Sequence, residues 1–249
     1  MKFSGCRYII FTDLDGTLID EEYSYRDAED ALSIIKKREI PLILCTSKTR
    51  AEIEIYRNEI GINDPFISEN GGAIFIPENY FENLNFDKRI DQYCVIELGI
   101  PYTRLRGAIE RIRKGGYKIK GFGDMSVKEI STITNLGIRE AELSKKREYD
   151  EPFIIQNGDE REVLRIIREF KLMVTKGGRF YHLTGNNDKG KAVRILTDVF
   201  RKNGFDGETI GLGDSENDFP MLRNVDIPIL IRDGPREWNT RILKILGRG

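Results

Sequence analysis

Apolar residues follow two rhythms along this chain, and the rhythm changes with position. Short unbroken apolar runs at residues 8–11 and 41–45 predict parallel strands buried on both faces. Between them, Ala28, Ala31, Leu32 and Ile35 recur at helical spacing and predict a helix over 24–38. A second helix is predicted at 49–60, and short strands at 65–67 and 73–76 flank Gly71-Gly72. After about Pro77 the character changes. Residues 93–98 and 117–122 mix aromatic and β-branched side chains, as antiparallel strands do. Helices are predicted over 104–114, 126–146 and 160–170, the last with Val163, Leu164, Ile166, Ile167 and Phe170 on one face. Residues 172–175 and 180–183 around Gly177-Gly178 read as a hairpin. From Lys189 the first rhythm returns, with a helix at 190–203, a strand at 209–213, a short helix at 219–223 and a strand at 227–231. The pattern predicts a parallel α/β core interrupted by an antiparallel α+β insertion.

Polar clusters sit where the predicted core strands end, and this is where chemistry is expected. They are Asp13-Leu14-Asp15-Gly16-Thr17, then Thr46-Ser47-Lys48, then Lys189 at the head of its helix, then Gly213-Asp214-Ser215-Glu216-Asn217-Asp218. Ligands of open parallel sheets bind outside the carboxyl ends of the strands, so these clusters can converge. Asp13 and Asp15, one residue apart, repel one another, and a divalent cation relieves that cost. Asp214 and Asp218 add oxygen ligands of the kind magnesium prefers. An Asp-Gly pair after a strand is also an ordinary turn; the second acidic cluster tips the reading toward a site.

The four clusters, in this order, resemble the haloacid dehalogenase superfamily, whose phosphatases carry DxDGT, a strand-end Thr or Ser, a Lys and GDxxxD. The resemblance implies a Rossmann-like parallel-sheet hydrolase core, residues 1–83 and 187–249, with an α+β cap, residues 84–186, inserted between Thr46 and Lys189. It implies a magnesium-dependent phosphomonoesterase with Asp13 as nucleophile and Asp15 as general acid and base. Thr46 and Lys189 would bind the phosphoryl group, and Asp214 would hold Mg²⁺, which would also touch the Asp13 carboxylate and the Asp15 main-chain carbonyl. Asp218 would act from the outer shell of that metal. Asp15 favours a phosphatase or phosphomutase over the superfamily's ion pumps, which have Thr at that position. Within the superfamily, residues 68–73, 147–149, 177–182 and 184–190 resemble the mannosyl-3-phosphoglycerate phosphatases. That narrower likeness implies a small phosphorylated glycosyl-glycerate substrate and a compatible-solute product. Ser47, Asn70 and Arg179 are then candidate substrate contacts. A phosphomannomutase-like transferase or a general sugar phosphatase shares the same nucleophile and cap position and stays open as an alternative.

Three other readings compete. Residues 185–191 match a P-loop as far as Lys191, but position 192 is Ala, so the hydroxyl that would hold magnesium is missing. Cys45 and Arg50 are separated by four residues without glycine, one fewer than the loop of cysteine phosphatases, so Cys45 is expected to be inert. His182 is the only histidine; it is expected to be structural. Lys145-Lys146-Arg147 reads as a solvated cluster complementing a helix end or as a contact to the substrate's carboxylate. Glu69-Asn70 at a strand end is a candidate for orienting the leaving group.

Bulk properties narrow the partners. Forty basic residues face 41 acidic ones, which gives no electrostatic reason to expect nucleic acid or an anionic membrane. No apolar run approaches the ~20 residues that span a bilayer, and no secretory signal is read at the start. Cys6, Cys45 and Cys94 form no CxxC pair, which suits a reducing cytoplasm. Composition says nothing about oligomeric state.

Overall fold

The computed structural model describes residues 3–177 and 179–247. Its first block runs β1 (Tyr8–Thr12), α1 (Glu29–Lys37), β2 (Leu42–Leu44), α2 (Arg50–Ile60), β3 (Phe66–Ser68) and β4 (Ala73–Pro77). Two further strands follow, β5 (Lys88–Ile90) and β6 (Tyr93–Glu97). The middle block is α3 (Tyr102–Lys114), β7 (Lys118–Gly121), α4 (Val127–Thr134), α5 (Ile138–Ser144), β8 (Glu151–Asn157), α6 (Glu160–Glu169), β9 (Met173–Gly177) and β10 (Phe180–Thr184). The chain closes with α7 (Lys189–Lys202), β11 (Glu208–Gly213), α8 (Phe219–Leu222), β12 (Ile227–Leu230) and α9 (Gly234–Leu246).

The core sheet is parallel, in the order β12-β11-β1-β2. A lone parallel bridge between Cys45 and Ile67 carries it on toward β3. β1 is buried on both faces because helices cover both. Tyr8 and Ile10 join the apolar layer under α1, α2 and α9, while Ile9 and Phe11 join the one under α7 and α8. That double burial is why β1 reads as an unbroken apolar run. The fold is therefore the expected parallel α/β core with an antiparallel α+β insertion.

A separate antiparallel sheet, β7-β8-β10-β9, carries α3 and α6 on one face. Its apolar layer includes Leu105, Ile109, Phe153, Val163, Ile167 and Leu183. The hairpin expected between 172 and 183 is β9 and β10, paired in register from Met173 opposite Thr184 to Gly177 opposite Phe180. Gly178, the second glycine of its tip, lies outside the described residues, as do the last two residues of the 187–249 core segment.

Three expectations shift. The predicted helix over 126–146 is two, because Asn135 adopts a left-handed φ of +64° and Gly137 caps the second; one mixed apolar stripe hid the break. The C-terminal helix α9, which buries Trp238, Ile242 and Leu246, had no counterpart in the pattern reading. The boundary placed at residue 84 does not follow the strand pairing either. β6 is antiparallel to β4, from Ala73 opposite Glu97 to Pro77 opposite Tyr93, and β5 pairs with β6. Aromatic and β-branched composition marks a strand as antiparallel but carries no information about which sheet accepts it.

Candidate active site

The loop after β1 sets the first carboxylates. The Asp13 amide donates to Leu212 O of β11 (2.9 Å), so the residue still lies in the sheet when the chain leaves it. Gly16, at φ +72°, then turns the chain. A Cβ there would sit 2.8 Å from Asp214 Oδ2, so only glycine lets the two acidic loops approach this closely. Thr17 Oγ1 donates to Asp214 Oδ1 (3.2 Å) and fixes that carboxylate from the other side.

Lys189 opens α7 and is fully buried. Its ammonium donates to Asp13 Oδ1 (2.7 Å) and Asp218 Oδ1 (2.5 Å). Asp218 is itself saturated: its Oδ2 accepts from the amides of Asp214 (3.0 Å) and Ser215 (3.1 Å) and from the Ser215 hydroxyl (3.1 Å). With both oxygens engaged, Asp218 shapes the Asp214 loop and anchors Lys189. Burial pushes the Asp13 carboxyl up to about 7, against the pull of Lys189 and with Asp218 and Asp15 adding to the rise. Burial, reinforced by Asp218, also raises Asp214, against the Thr17 hydrogen bond. Asp13, Asp214 and Asp218 each place an oxygen within 4.8 Å of the others. This is a crowded set of hard oxygen donors whose mutual repulsion a divalent cation would relieve.

Thr46, wholly buried, follows the end of β2; its amide donates to Ile67 O (3.1 Å) and its carbonyl accepts from the Asn70 amide (3.0 Å). The site thus sits at the carboxyl ends of β1, β2 and β11, as an open parallel sheet requires. Asp15 is the exception within the acidic group. Its carboxylate lies outside that cluster of three and pairs with Lys48 Nζ at 2.8 Å. That partner was visible in the sequence as part of the Thr46-Ser47-Lys48 cluster, but spacing alone could not say which carboxylate it meets.

The remaining candidates divide. Asn70, in a left-handed φ of +55°, accepts from Asn217 Nδ2 at its side-chain oxygen (3.1 Å), and Asn187 Nδ2 donates to its carbonyl (3.4 Å). It therefore links the 68–72 loop to the Asp214–Asp218 loop. Ser47 is half-buried, and its carbonyl accepts from Arg147 of the inserted domain (2.8 Å). Arg179 is exposed, donates to Ile133 O (2.8 Å), and faces the core across a cleft of roughly 780 Å³ that Glu21 also lines. Glu21 also borders a cavity of roughly 740 Å³ that reaches Gly16 and Asp214.

Arg147 is not in a solvated cluster. Its side chain is buried, donating to Ser144 O and Ser47 O (both 2.8 Å) and lying 3.6 Å from Asp150. Lys145 is spent on the carbonyls of Phe122 and Met125. Glu69 does not face a leaving group: its carboxylate accepts from the amides of Glu148 and Tyr149 (both 2.9 Å). Burial pushes it up to about 8 against the pull of Arg147 and those amides. His182 is structural, its Nδ1 2.7 Å from the buried Asp150 carboxylate. Burial raises the Cys45 thiol far above its ordinary value, which suits an inert residue. The P-loop reading fails on geometry as well. Asp188 caps α7 by accepting from the Lys191 amide (2.9 Å), so a carboxylate stands where a phosphate would have to sit. The Lys191 ammonium bonds Asn186 instead.

A parallel α/β core with strand-end carboxylates, a buried lysine and an inserted cap defines a class of hydrolase. Residues 10–99 match the haloacid dehalogenase-like hydrolase family. The chain is 48% identical to the glucosyl-3-phosphoglycerate/mannosyl-3-phosphoglycerate phosphatase of Methanococcoides burtonii, over 97% of this chain and 98% of that one. It is 52% identical to the phosphatase of the same name from Persephonella marina, over 90% of this chain and 84% of that one. A phosphatase of the haloalkanoate superfamily from Bacteroides thetaiotaomicron shares the fold, with a TM-score of 0.67, 16% identity and coverage of 98% and 96%. The chain belongs to the haloacid dehalogenase-like hydrolases, in the branch that holds those glycosyl-3-phosphoglycerate phosphatases.

Proposed function

We propose that this protein is a magnesium-dependent phosphomonoesterase that hydrolyses glycosyl-3-phosphoglycerate, mannosyl or glucosyl, to the glycosylglycerate and inorganic phosphate. The observation that carries the reaction class is the Lys189 ammonium held between Asp13 and Asp218 beside Asp214. The substrate follows from the relatives, glucosyl-3-phosphoglycerate/mannosyl-3-phosphoglycerate phosphatases that match 97% and 90% of the chain.

In this reading an Asp13 oxygen attacks phosphorus and the phosphorus–alkoxide bond breaks. Asp15 gives its proton to the departing oxygen. Asp15 then takes a proton from water as that water attacks the phosphoaspartyl group, releasing phosphate and restoring the Asp13 carboxylate. Lys189 and Thr46 bind phosphoryl oxygens, and Lys189 offsets the repulsion between an anionic nucleophile and an anionic substrate. Magnesium, held by the Asp13 and Asp214 carboxylates and the Asp15 carbonyl, would add positive charge at the same place. Asp218, both of whose oxygens are already bonded, orients Lys189 and the Asp214 loop. The cap begins at about residue 99, after β6, and runs to 186. Its Arg179, which lines one cleft with Glu21, reads the glycerate carboxylate in this reading, with Ser47 and Asn70 on the core side.

Phosphate release is measured with mannosyl- and glucosyl-3-phosphoglycerate, mannose phosphates, phosphoglycerate and p-nitrophenyl phosphate, without any bisphosphate activator. Asp13→Asn abolishes turnover on all of them. Arg179→Ala depresses kcat/KM on the glycosyl-phosphoglycerates far more than on p-nitrophenyl phosphate. A mannose phosphate cleaved with clearly higher efficiency than either glycosyl-phosphoglycerate would overturn the substrate.

A further inference from the structure

The Lys48 ammonium takes no part in the steps above, yet it is placed as carefully as any group in the site. It pairs with Asp15 Oδ1 at 2.8 Å, with the lysine side chain 9% exposed and the aspartate 46% exposed. The Tyr23 and Tyr56 rings stand 5.1 and 5.8 Å from Nζ. The backbone is tied at both ends: the Lys48 amide donates to Thr46 Oγ1 (3.3 Å) and its carbonyl accepts from the Glu69 amide (3.1 Å). Leu136, Gly137 and Leu143 of the cap join Lys48 in walling a cleft of roughly 340 Å³.

We propose that Lys48 is a positioning residue that aims the Asp15 carboxyl at the departing oxygen. The inference rests on the reading of Asp15 as general acid. Asp15 lies next to a left-handed glycine, and its carboxyl is half open to solvent. Proton transfer to the leaving group needs the donor within roughly 2.6–3.2 Å of the receiving oxygen. Lys48 grips Oδ1 and thereby fixes the rotamer, leaving Oδ2 for the proton. Stability does not explain the arrangement. A pair with one partner half open to water contributes little, whereas burying an ammonium is costly. Phosphate binding does not explain it either, since Lys189 already stands at Asp13 and Lys48 is turned to Asp15.

The test is the dependence of kcat/KM on leaving group, along aryl phosphates from p-nitrophenyl to phenyl. That quantity covers only the steps up to departure of the leaving group, so the later attack of water does not enter. Aryl esters also lack the carboxylate and sugar that the cap would read. The wild type, Lys48→Met, Lys48→Arg and Asp15→Asn are compared. Nitrophenolate leaves without help, whereas phenolate benefits from a proton. Asp15→Asn therefore steepens the dependence. Lys48→Met steepens it too, losing on the order of 10-fold more on phenyl than on p-nitrophenyl phosphate, and Lys48→Arg recovers part of the loss. The comparison is a ratio within one preparation, so partial unfolding of a variant cancels. A Lys48→Met slope equal to wild type, beside a steepened Asp15→Asn slope, overturns the role of Lys48 and leaves the general acid standing. An unchanged Asp15→Asn slope overturns the general acid and the inference with it.

Discussion

Replacing Lys189 by Met removes one ammonium from between two carboxylates while nearly keeping its volume. The side chain is fully buried and donates to Asp13 Oδ1 at 2.7 Å and Asp218 Oδ1 at 2.5 Å. Removing one partner of a buried ion pair typically costs about 3–5 kcal/mol, because the other charge stays buried and unpaired. Asp218 keeps three donors on its second oxygen, so the burden falls mainly on Asp13. The lower end, about 3 kcal/mol, is therefore expected. In a chain of this size that corresponds to a fall in Tm of roughly 6–12 °C. Loss of the cation beside the reacting phosphate should cost roughly 3 kcal/mol of transition-state stabilisation, or about 100-fold or more in kcat/KM. Tm is read in EDTA, so that added metal does not mask the loss. The decisive comparison is a cycle with Asp13→Asn. With the Asp13 charge gone, Lys189→Met should cost about 1–3 kcal/mol less, while activity stays absent. Lys191→Ala, whose ammonium bonds Asn186 away from the site, should leave kcat/KM within a few-fold of wild type. Equal stability costs of Lys189→Met in both backgrounds, or near-normal turnover by that variant, would refute the reasoning.

Other consequences are equally direct. Magnesium should raise the Tm of the wild type by selective binding to the folded state, and Asp214→Ala should lose most of that rise together with activity; full activity in EDTA would contradict the metal role. Gly16→Ala should lower metal affinity and cost about 1 kcal/mol or more of stability, since φ +72° disfavours a side chain and the new Cβ meets Asp214 Oδ2 at 2.8 Å; an unchanged magnesium titration would count against it. Arg147→Met should destabilise by about 3 kcal/mol or more, because the buried Asp150 loses a cation 3.6 Å away and the Ser47 carbonyl loses its donor; a thermal scan matching wild type would rule this out. In the native protein iodoacetamide should label Cys6, which is half-buried, well before Cys45 or Cys94, which are buried; mass spectrometry showing early modification at Cys45 would show that its thiol is not shielded.

Much of this protein was legible in the chain alone, and for a physical reason. A strand buried on both faces must be apolar throughout, so residues 8–11 and 41–45 announced themselves. The catalytic candidates stand where such runs stop, because the sheet's carboxyl edge is where backbone and side chains become free to meet a ligand. Asp13, Asp15, Thr46 and Asp214 were therefore candidates by position and type, while the parts assigned to Thr46 and to Lys189, which heads a helix, followed from the resemblance. The tertiary structure decided the pairings that depend on which loop approaches which. Spacing cannot show that Asp15 meets Lys48, that Asp218 spends both oxygens on its own loop and Lys189, or that Arg147 is buried against Ser47 rather than solvated. It cannot show that Glu69 is consumed by the amides of residues 148 and 149, nor that β6 joins β4. Most of these are contacts between segments far apart in the chain, between chemically ordinary residues. Local periodicity records which face of an element is buried, but not what buries it.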